Sequence, residues 1–213
     1  MRRYAYHHPV TRDLSATRAF FGERATRWDV RFPDDGPKYG QAVRELALPE
    51  GATVLDAGCG TGRALPHLRA AVGGAGMVVA LDVTPEMLDV ARPKAGAAAA
   101  LVMGDAMALP LRDAAIDAVF AAGLVPHLDD AAGGLRELCR VVRPGGVLAV
   151  FHPIGRVALA ARHASVPSDG DTLAPATLPG LLAAGGWRLE RLDDGDERYL
   201  AVATRVADGL PPQ

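Results

Sequence analysis

Long apolar runs are missing from this 213-residue chain. No stretch approaches the about 18 consecutive apolar residues that a membrane helix needs. The N-terminal MRRYAYHHPV carries charge with no apolar segment behind it, so neither a membrane span nor a secretory leader is expected, and a cytoplasmic location is. Cysteine is nearly absent. Cys59 and Cys139 are the only two, which excludes a disulfide framework, and no His or Asp flanks Cys59 closely enough to make it a ready nucleophile. Neither sign of charge dominates: 23 basic against 25 acidic side chains give a net charge of −2, which leaves no broad electrostatic footprint for nucleic acid and favours a small-molecule partner. Lysine is scarcer still, since Lys38 and Lys94 are the only lysines among those basic residues, a pattern that fits a GC-rich coding bias. Aromatic residues are 5% of the chain. No internal repeat is present.

What is present is the composition of an ordinary globular protein, 49% hydrophobic and 23% charged, of a length that fits one domain better than two. From residue 52 onward, short apolar runs alternate with helical patterns, the signature of βαβ units and a parallel sheet. Strands are expected near 53–56, 77–81, 99–103, 116–120, 146–151, 187–192 and 199–205. In DVTPEMLDVA, Thr84 reads as an N-cap, Pro85 as the first helical residue and Glu86 as a first-turn acid. In RVVRPGGVLAVF a helix is expected to end at Arg143 and turn on Pro144, Gly145 and Gly146 before the next strand. WRLERLDDGDERYLAVATRV reads as two alternating runs around an acidic turn, hence an antiparallel hairpin. The expected fold class is α/β: a doubly wound, mostly parallel seven-stranded sheet with helices on both faces and an antiparallel C-terminal hairpin strand. Residues 1–48 read as a helical, aromatic-containing segment that caps one end of a single domain at 49–213. The DGD of SVPSDGDTLAP lacks the ligand spacing of a calcium loop and reads as a solvated turn.

VLDAGCGTGRALPHL places a buried strand before a turn with three glycines in five positions. Such a turn sits where open α/β sheets bind ligands, at the carboxyl ends of the strands. Gly58, Gly60 and Gly62 permit backbone conformations and close approaches that side chains forbid. The spacing differs from the dinucleotide fingerprint G-x-G-x-x-G, which argues against a nicotinamide-dependent oxidoreductase. Asp56 at the strand end would repel a pyrophosphate and attract an ammonium group, so a cationic ligand is expected.

On these residues the chain resembles the class I S-adenosylmethionine-dependent methyltransferases, in particular small members related to the ubiquinone/menaquinone-type enzymes. The resemblance runs over roughly residues 20–151: FGERATRWD, VLDAGCGTGR, VVALDVTPEML, GDAMALPL, IDAVFAAGLVPHLDD and LCRVVRPGGVLAVF follow the family's motif order. It implies S-adenosylmethionine as cofactor and S-adenosylhomocysteine as product. The cofactor-binding residues it implies are Trp28, Asp56, Gly58, Cys59, Gly60, Gly62, Asp82, Val83, Met87, Asp105, Ala106, Met107 and Gly123. Within that set Asp56 serves the methionine ammonium, Asp82 the ribose diol, and Asp105 with its following backbone the adenine. Met87 and Met107 are candidates for packing on adenine, and equally for the core.

Methyl transfer from a sulfonium is an in-line displacement, so alignment does most of the work and only an alcohol acceptor requires a base as it attacks. His152, ending the fifth strand, and His127, after the fourth, are the candidate catalytic residues because imidazole titrates near neutrality. Either also has a plain structural role open to it, His127 at a helix start and His152 ahead of Pro153. His127, Asp129, Asp130 and His152 include metal-ligand types, but acids at a helix start have a reason to be there anyway, and no metal site is assigned. Trp28, Tyr4, Tyr6 and Tyr39 precede the sheet and are candidates for a lid, as are His7 and His8. The expected activity is O-methylation of a hydroxyl on a small metabolite, such as a sugar or a natural-product intermediate, by a monomer or homodimer that engages neither nucleic acid nor membrane. The alternatives are N- or C-methylation of a small molecule, or a non-catalytic S-adenosylmethionine-binding regulatory module.

Overall fold

The computed structural model describes residues 13–96, 99–162 and 164–207; the expectations on Tyr4, Tyr6, His7 and His8 lie outside them. The strands follow the order β3-β2-β1-β4-β5-β7-β6 in a seven-stranded sheet, and the chain divides into two compact units at Leu111 and Arg112.

The first unit is built on β1 (Thr53–Ala57), β2 (Met77–Asp82) and β3 (Ala99–Met103). β1 pairs in parallel with β2, and β2 with β3. Val54, Leu55, Val78 and Leu81 are buried, as continuous apolar strands of a parallel sheet must be. Three short helices precede the sheet: α1 (Ser15–Gly22), α2 (Ala25–Arg31) and α3 (Gly36–Glu45). The crossovers are α4 (Leu65–Val72) and α5 (Pro85–Ala95), each with proline in its first turn and a glycine of positive φ just past its end, Gly73 and Gly96. Thr84 takes the N-cap position of α5 without a side-chain capping bond; instead its backbone N–H donates to Asp82 Oδ1 at 2.8 Å.

The second unit holds β4 (Ile116–Ala122), α6 (Ala131–Val141), β5 (Val142–His152), α7 (Arg156–Arg162), α8 (Leu178–Ala184), β6 (Trp187–Asp194) and β7 (Tyr199–Arg205). β4 and β5 are parallel, while β7 runs antiparallel to both β5 and β6, so the expected C-terminal hairpin is present. Its aromatic residues are satisfied as well as buried: Trp187 Nε1–H donates to the Leu135 carbonyl at 2.8 Å, and the Tyr199 hydroxyl to the Leu173 carbonyl at 2.9 Å.

One boundary differs from expectation. α6 ends at Val141 rather than Arg143, and Pro144, Gly145 and Gly146 lie inside β5 instead of forming a turn before it. The ladder pairs Ile116 with Val142 and then Ala118 with Val147, so the extra residues bulge out. Gly145, at φ 78°, supplies the left-handed step, and a side chain on Gly146 would meet the Asp117 carbonyl at 2.6 Å. The 168–171 turn is held by Arg156, whose guanidinium donates to Asp171 Oδ2 at 3.3 Å and to Asp194 Oδ2 at 3.0 Å. Among the described residues no helix is long and apolar enough to cross a membrane.

Candidate functional site

The glycine turn after β1 is a left-handed crest. Gly58, Gly60 and Gly62 have φ of 67°, 53° and 78°, values that cost an L side chain energy at each step. The crest is tied to β2 by two bonds: Cys59 N–H donates to the Leu81 carbonyl at 2.9 Å, and Gly60 N–H to Asp82 Oδ2 at 2.8 Å. Gly62 is needed from below, because a Cβ there would lie 2.8 Å from Leu65 Cδ1 and 3.0 Å from Ala91 Cβ. At Gly60 a Cβ would meet no atom of the described residues, its chain neighbours aside, within 4 Å. The backbone is therefore bare at Gly60 on a side that the described residues do not fill.

Two carboxylates are buried at the ends of β1 and β2. Asp56 is 1% exposed, and among the described residues its Oδ2 has no hydrogen-bond partner. Burial, reinforced by the neighbouring charge of Asp82, pushes its pKa up to about 8. Asp82 is also raised by burial, against the opposing effect of the Thr84 and Gly60 amides that its two oxygens accept. An unpaired buried carboxylate oxygen costs free energy unless a donor arrives. A donor carrying positive charge would relieve both acids at once, and the residues here suit a ligand with an ammonium group and hydroxyls.

The segment after β3 turns on itself. Asp105 Oδ1 accepts the Met107 amide at 2.9 Å, and the Asp105 carbonyl accepts the Ala108 amide at 3.0 Å. Asp105 and Ala106 are buried, and Met107 is half-buried. Met87 is 2% exposed within α5. Val83 offers its carbonyl to Arg18 Nε of α1 at 3.0 Å. The Cys59 thiol is buried beside Asp56 and Asp82, and burial first, then those charges, push its pKa well up; it stays a neutral thiol.

Trp28 lies on α2 between Phe21 and Phe32, with ring centroids 5.8 and 5.5 Å away. Its neighbour Asp29 reaches the glycine turn. Asp29 Oδ1 accepts the Thr61 hydroxyl at 2.6 Å and Arg63 Nε at 3.1 Å, and Asp29 Oδ2 accepts Lys94 Nζ at 2.5 Å. Arg63 also donates to Asp35 Oδ2 at 2.8 Å and to the Phe32 carbonyl. Tyr39 is buried enough to push its hydroxyl pKa well up.

In the second unit, Gly123 follows β4 at φ 67°, and a Cβ there would lie 3.9 Å from His152 Cδ2. His152 is half-buried at the end of β5, with Nδ1 2.9 Å from the Ile154 carbonyl. The Ile154 amide nitrogen lies 3.3 Å from the same Nδ1, and the tautomer that donates from Nδ1 to the nearer carbonyl would carry its basic lone pair on Nε2. His127 closes a 3-10 turn, Val125–His127; the residue is exposed, yet the protein around it removes enough water to lower its pKa. Asp130, not His127, caps α6, with Oδ1 accepting the Gly133 amide at 2.8 Å. No group of three or more His, Cys, Asp and Glu side chains among the described residues is arranged to hold a metal ion.

Residues 55–150 match the family model described as a methyltransferase domain. This is a class I methyltransferase domain. The domain is 39% identical over 108 residues to a demethylmenaquinone methyltransferase of Shouchella clausii, covering 49% of this chain and 46% of that protein. It is 37% identical over 174 residues to a malonyl-[acyl-carrier protein] O-methyltransferase of Erwinia pyrifoliae, covering 75% of this chain and 64% of that one. Its fold superposes with a TM-score of 0.67 on the crystal structure of a SAM-dependent methyltransferase from Aquifex aeolicus, at 28% identity, covering 79% of this chain and 89% of that one. The chain thus spans about half to two-thirds of the length of these two curated relatives.

Within the methyltransferase domain, the first unit brings Asp56, the three glycines, Cys59 and Asp82 together, and the second unit brings Gly123 and His152 together. Sequence reasoning singled out Trp28 but missed what its neighbour Asp29 does. Thr61, Arg63 and Lys94 are 32, 34 and 65 positions away from it, and the only local signal was a lysine standing where this chain otherwise writes arginine.

Proposed function

We propose that the domain binds S-adenosylmethionine on the glycine turn and methylates a small-molecule acceptor at oxygen. The observation that supports the cofactor most directly is Asp56: a buried carboxylate oxygen without a donor among the described residues, beside a glycine crest that those residues leave uncovered at Gly60. Asp56 takes the methionine ammonium. Asp82 keeps its two amides and uses its remaining lone pairs for the ribose hydroxyls. Asp105, Ala106 and Met107 border adenine, Trp28, Val83 and Met87 complete the surroundings in the first unit, and the resemblance assigns Gly123 to the cofactor as well. Bound cofactor supplies a methyl group already activated on a sulfonium sulfur, so the protein's contribution is alignment and exclusion of water. The helices before β1, within residues 1–48, serve as the cap that excludes it.

For a hydroxyl acceptor, such as that of a sugar or a natural-product intermediate, His152 takes the proton on Nε2 in the tautomer whose Nδ1–H donates to the Ile154 carbonyl. His127 is the alternative base. A second reading comes from the relatives: the malonyl-[acyl-carrier protein] enzyme is an O-methyltransferase, and a carboxylate acceptor is already ionised and needs no base. Incubating the full chain with methyl-labelled cofactor and a panel of saccharides, phenols, quinols, amines and acyl thioesters with a free carboxylate tests these together. Labelled hydroxyl product that falls at least tenfold in His152→Ala supports the base-assisted reading. Labelled acyl ester or quinol, with His152→Ala unchanged, replaces it, and tight cofactor binding without any product points to a regulatory module.

A further inference from the structure

We propose that Lys94 and Asp29 form a positioning latch that sets the shape of the glycine turn and the seat of Trp28, and through them the affinity for S-adenosylmethionine. The inference rests on the cofactor reading above and extends it to two residues that need not touch the ligand.

The geometry is a closed ring. Lys94 Nζ, from the last turn of α5, donates to Asp29 Oδ2 at 2.5 Å and to the Thr61 carbonyl at 2.6 Å. The Thr61 hydroxyl returns to Asp29 Oδ1 at 2.6 Å. Thr61 stands between Gly60 and Gly62 and is 2% exposed. Both its backbone carbonyl and its side chain are therefore held from outside the turn, which fixes the Thr61–Gly62 peptide plane and the side-chain direction of Thr61. Glycines make this crest soft, and a crest that must present Gly60 to a ligand gains affinity when it is shaped beforehand. The same ring holds α2, so Trp28, adjacent to Asp29, is placed by the clamp that shapes the turn.

Charge and chemistry agree with this use. Lys94 and Asp29 are 29% and 37% exposed at the side chain, neither a solvated surface pair nor a dry one, and the pair is joined by Arg63 at 13%. Burial would push the Asp29 carboxyl up, but the bonds from Lys94, Thr61 and Arg63 prevail and hold it below its ordinary range. An ammonium can aim separate protons at a carboxylate and a carbonyl on divergent lines, whereas a guanidinium offers a flat fork. That explains why one of two lysines, among 23 basic residues, stands here.

The test compares the full-length wild type with Lys94→Met, Asp29→Asn and the double variant, in three readouts: S-adenosylhomocysteine affinity by calorimetry, the tryptophan emission change on adding it, and the unfolding temperature without it. Trp187 is buried in the second unit and contributes a constant background. Each single substitution is expected to weaken binding roughly tenfold, to reduce the emission change, and to lower the unfolding temperature only slightly. The double variant should lose less affinity than the two single losses combined, because the Lys94–Asp29 bond is common to both changes, although Asp29 also holds Arg63 and Lys94 also holds the Thr61 carbonyl. It leaves neither charge stranded, so it decides the matter if a single variant does not fold. Wild-type affinity and an unchanged emission response in the variants overturn the latch while leaving the cofactor reading intact. Failure of the wild type itself to bind overturns both.

Discussion

Asp56 and Asp82 place two acids out of water at adjoining strand ends, and the balance between their cost and their use governs this site. Asp56 rises from an ordinary pKa of 3.8 to about 8 on folding. A group whose folded pKa is raised contributes stability that is complete below its unfolded value and is lost as pH climbs through the folded one. The ligand-free protein should accordingly lose stability between about pH 4 and 8 through this residue. Asp56→Asn should remove that loss, and at pH 8.5 the ligand-free variant should unfold several degrees above the wild type in a thermal scan, roughly 5 °C. The same substitution should weaken S-adenosylhomocysteine binding about a hundredfold, since a buried charged partner is gone. Wild-type affinity should rise from pH 6 to 8 as Asp56 ionises. These two acids were legible because each ends a strand within a short local motif. The Asp29 ring was not, since its members meet only after the chain has folded.

At the scale of elements, Gly60 and Gly62 do different work a residue apart. Gly62→Ala puts a methyl group against Leu65 and Ala91 at a positive φ and should cost about 2–3 kcal/mol of stability, read from denaturant midpoints. Gly60→Ala meets nothing and should cost only about 1 kcal/mol, the strain of φ 53°. Its effect should fall on ligand affinity instead, and equal loss of stability in the two variants would contradict this division. Asp130→Ala should remove the α6 cap for about 1 kcal/mol, with no change in ligand binding. Strand positions were readable because short apolar runs are bracketed by glycine and proline. The start of β5 was not: Pro144-Gly145-Gly146 has the composition of a turn, and only pairing with β4 draws it into the ladder. The capping expectation for Thr84 had the position right, but its side chain makes no capping bond, and the residue is held instead by its own amide donating to Asp82.

For the molecule as a whole, alternating strands and helices, one C-terminal hairpin and motifs in fixed order were enough to read the seven-stranded α/β fold from the sequence. The acceptor was not readable in the same way. Cofactor residues cluster in one motif-dense stretch, whereas acceptor recognition draws on side chains whose types, two histidines among them, serve structure equally well. The account therefore stands or falls on the glycine turn. Calorimetric titration of S-adenosylhomocysteine into the full chain, with Asp56→Asn alongside, tests it most directly. Saturable binding of one ligand per chain that is lost in the variant is the predicted result; no heat at saturating ligand, or equal binding by both proteins, would contradict it.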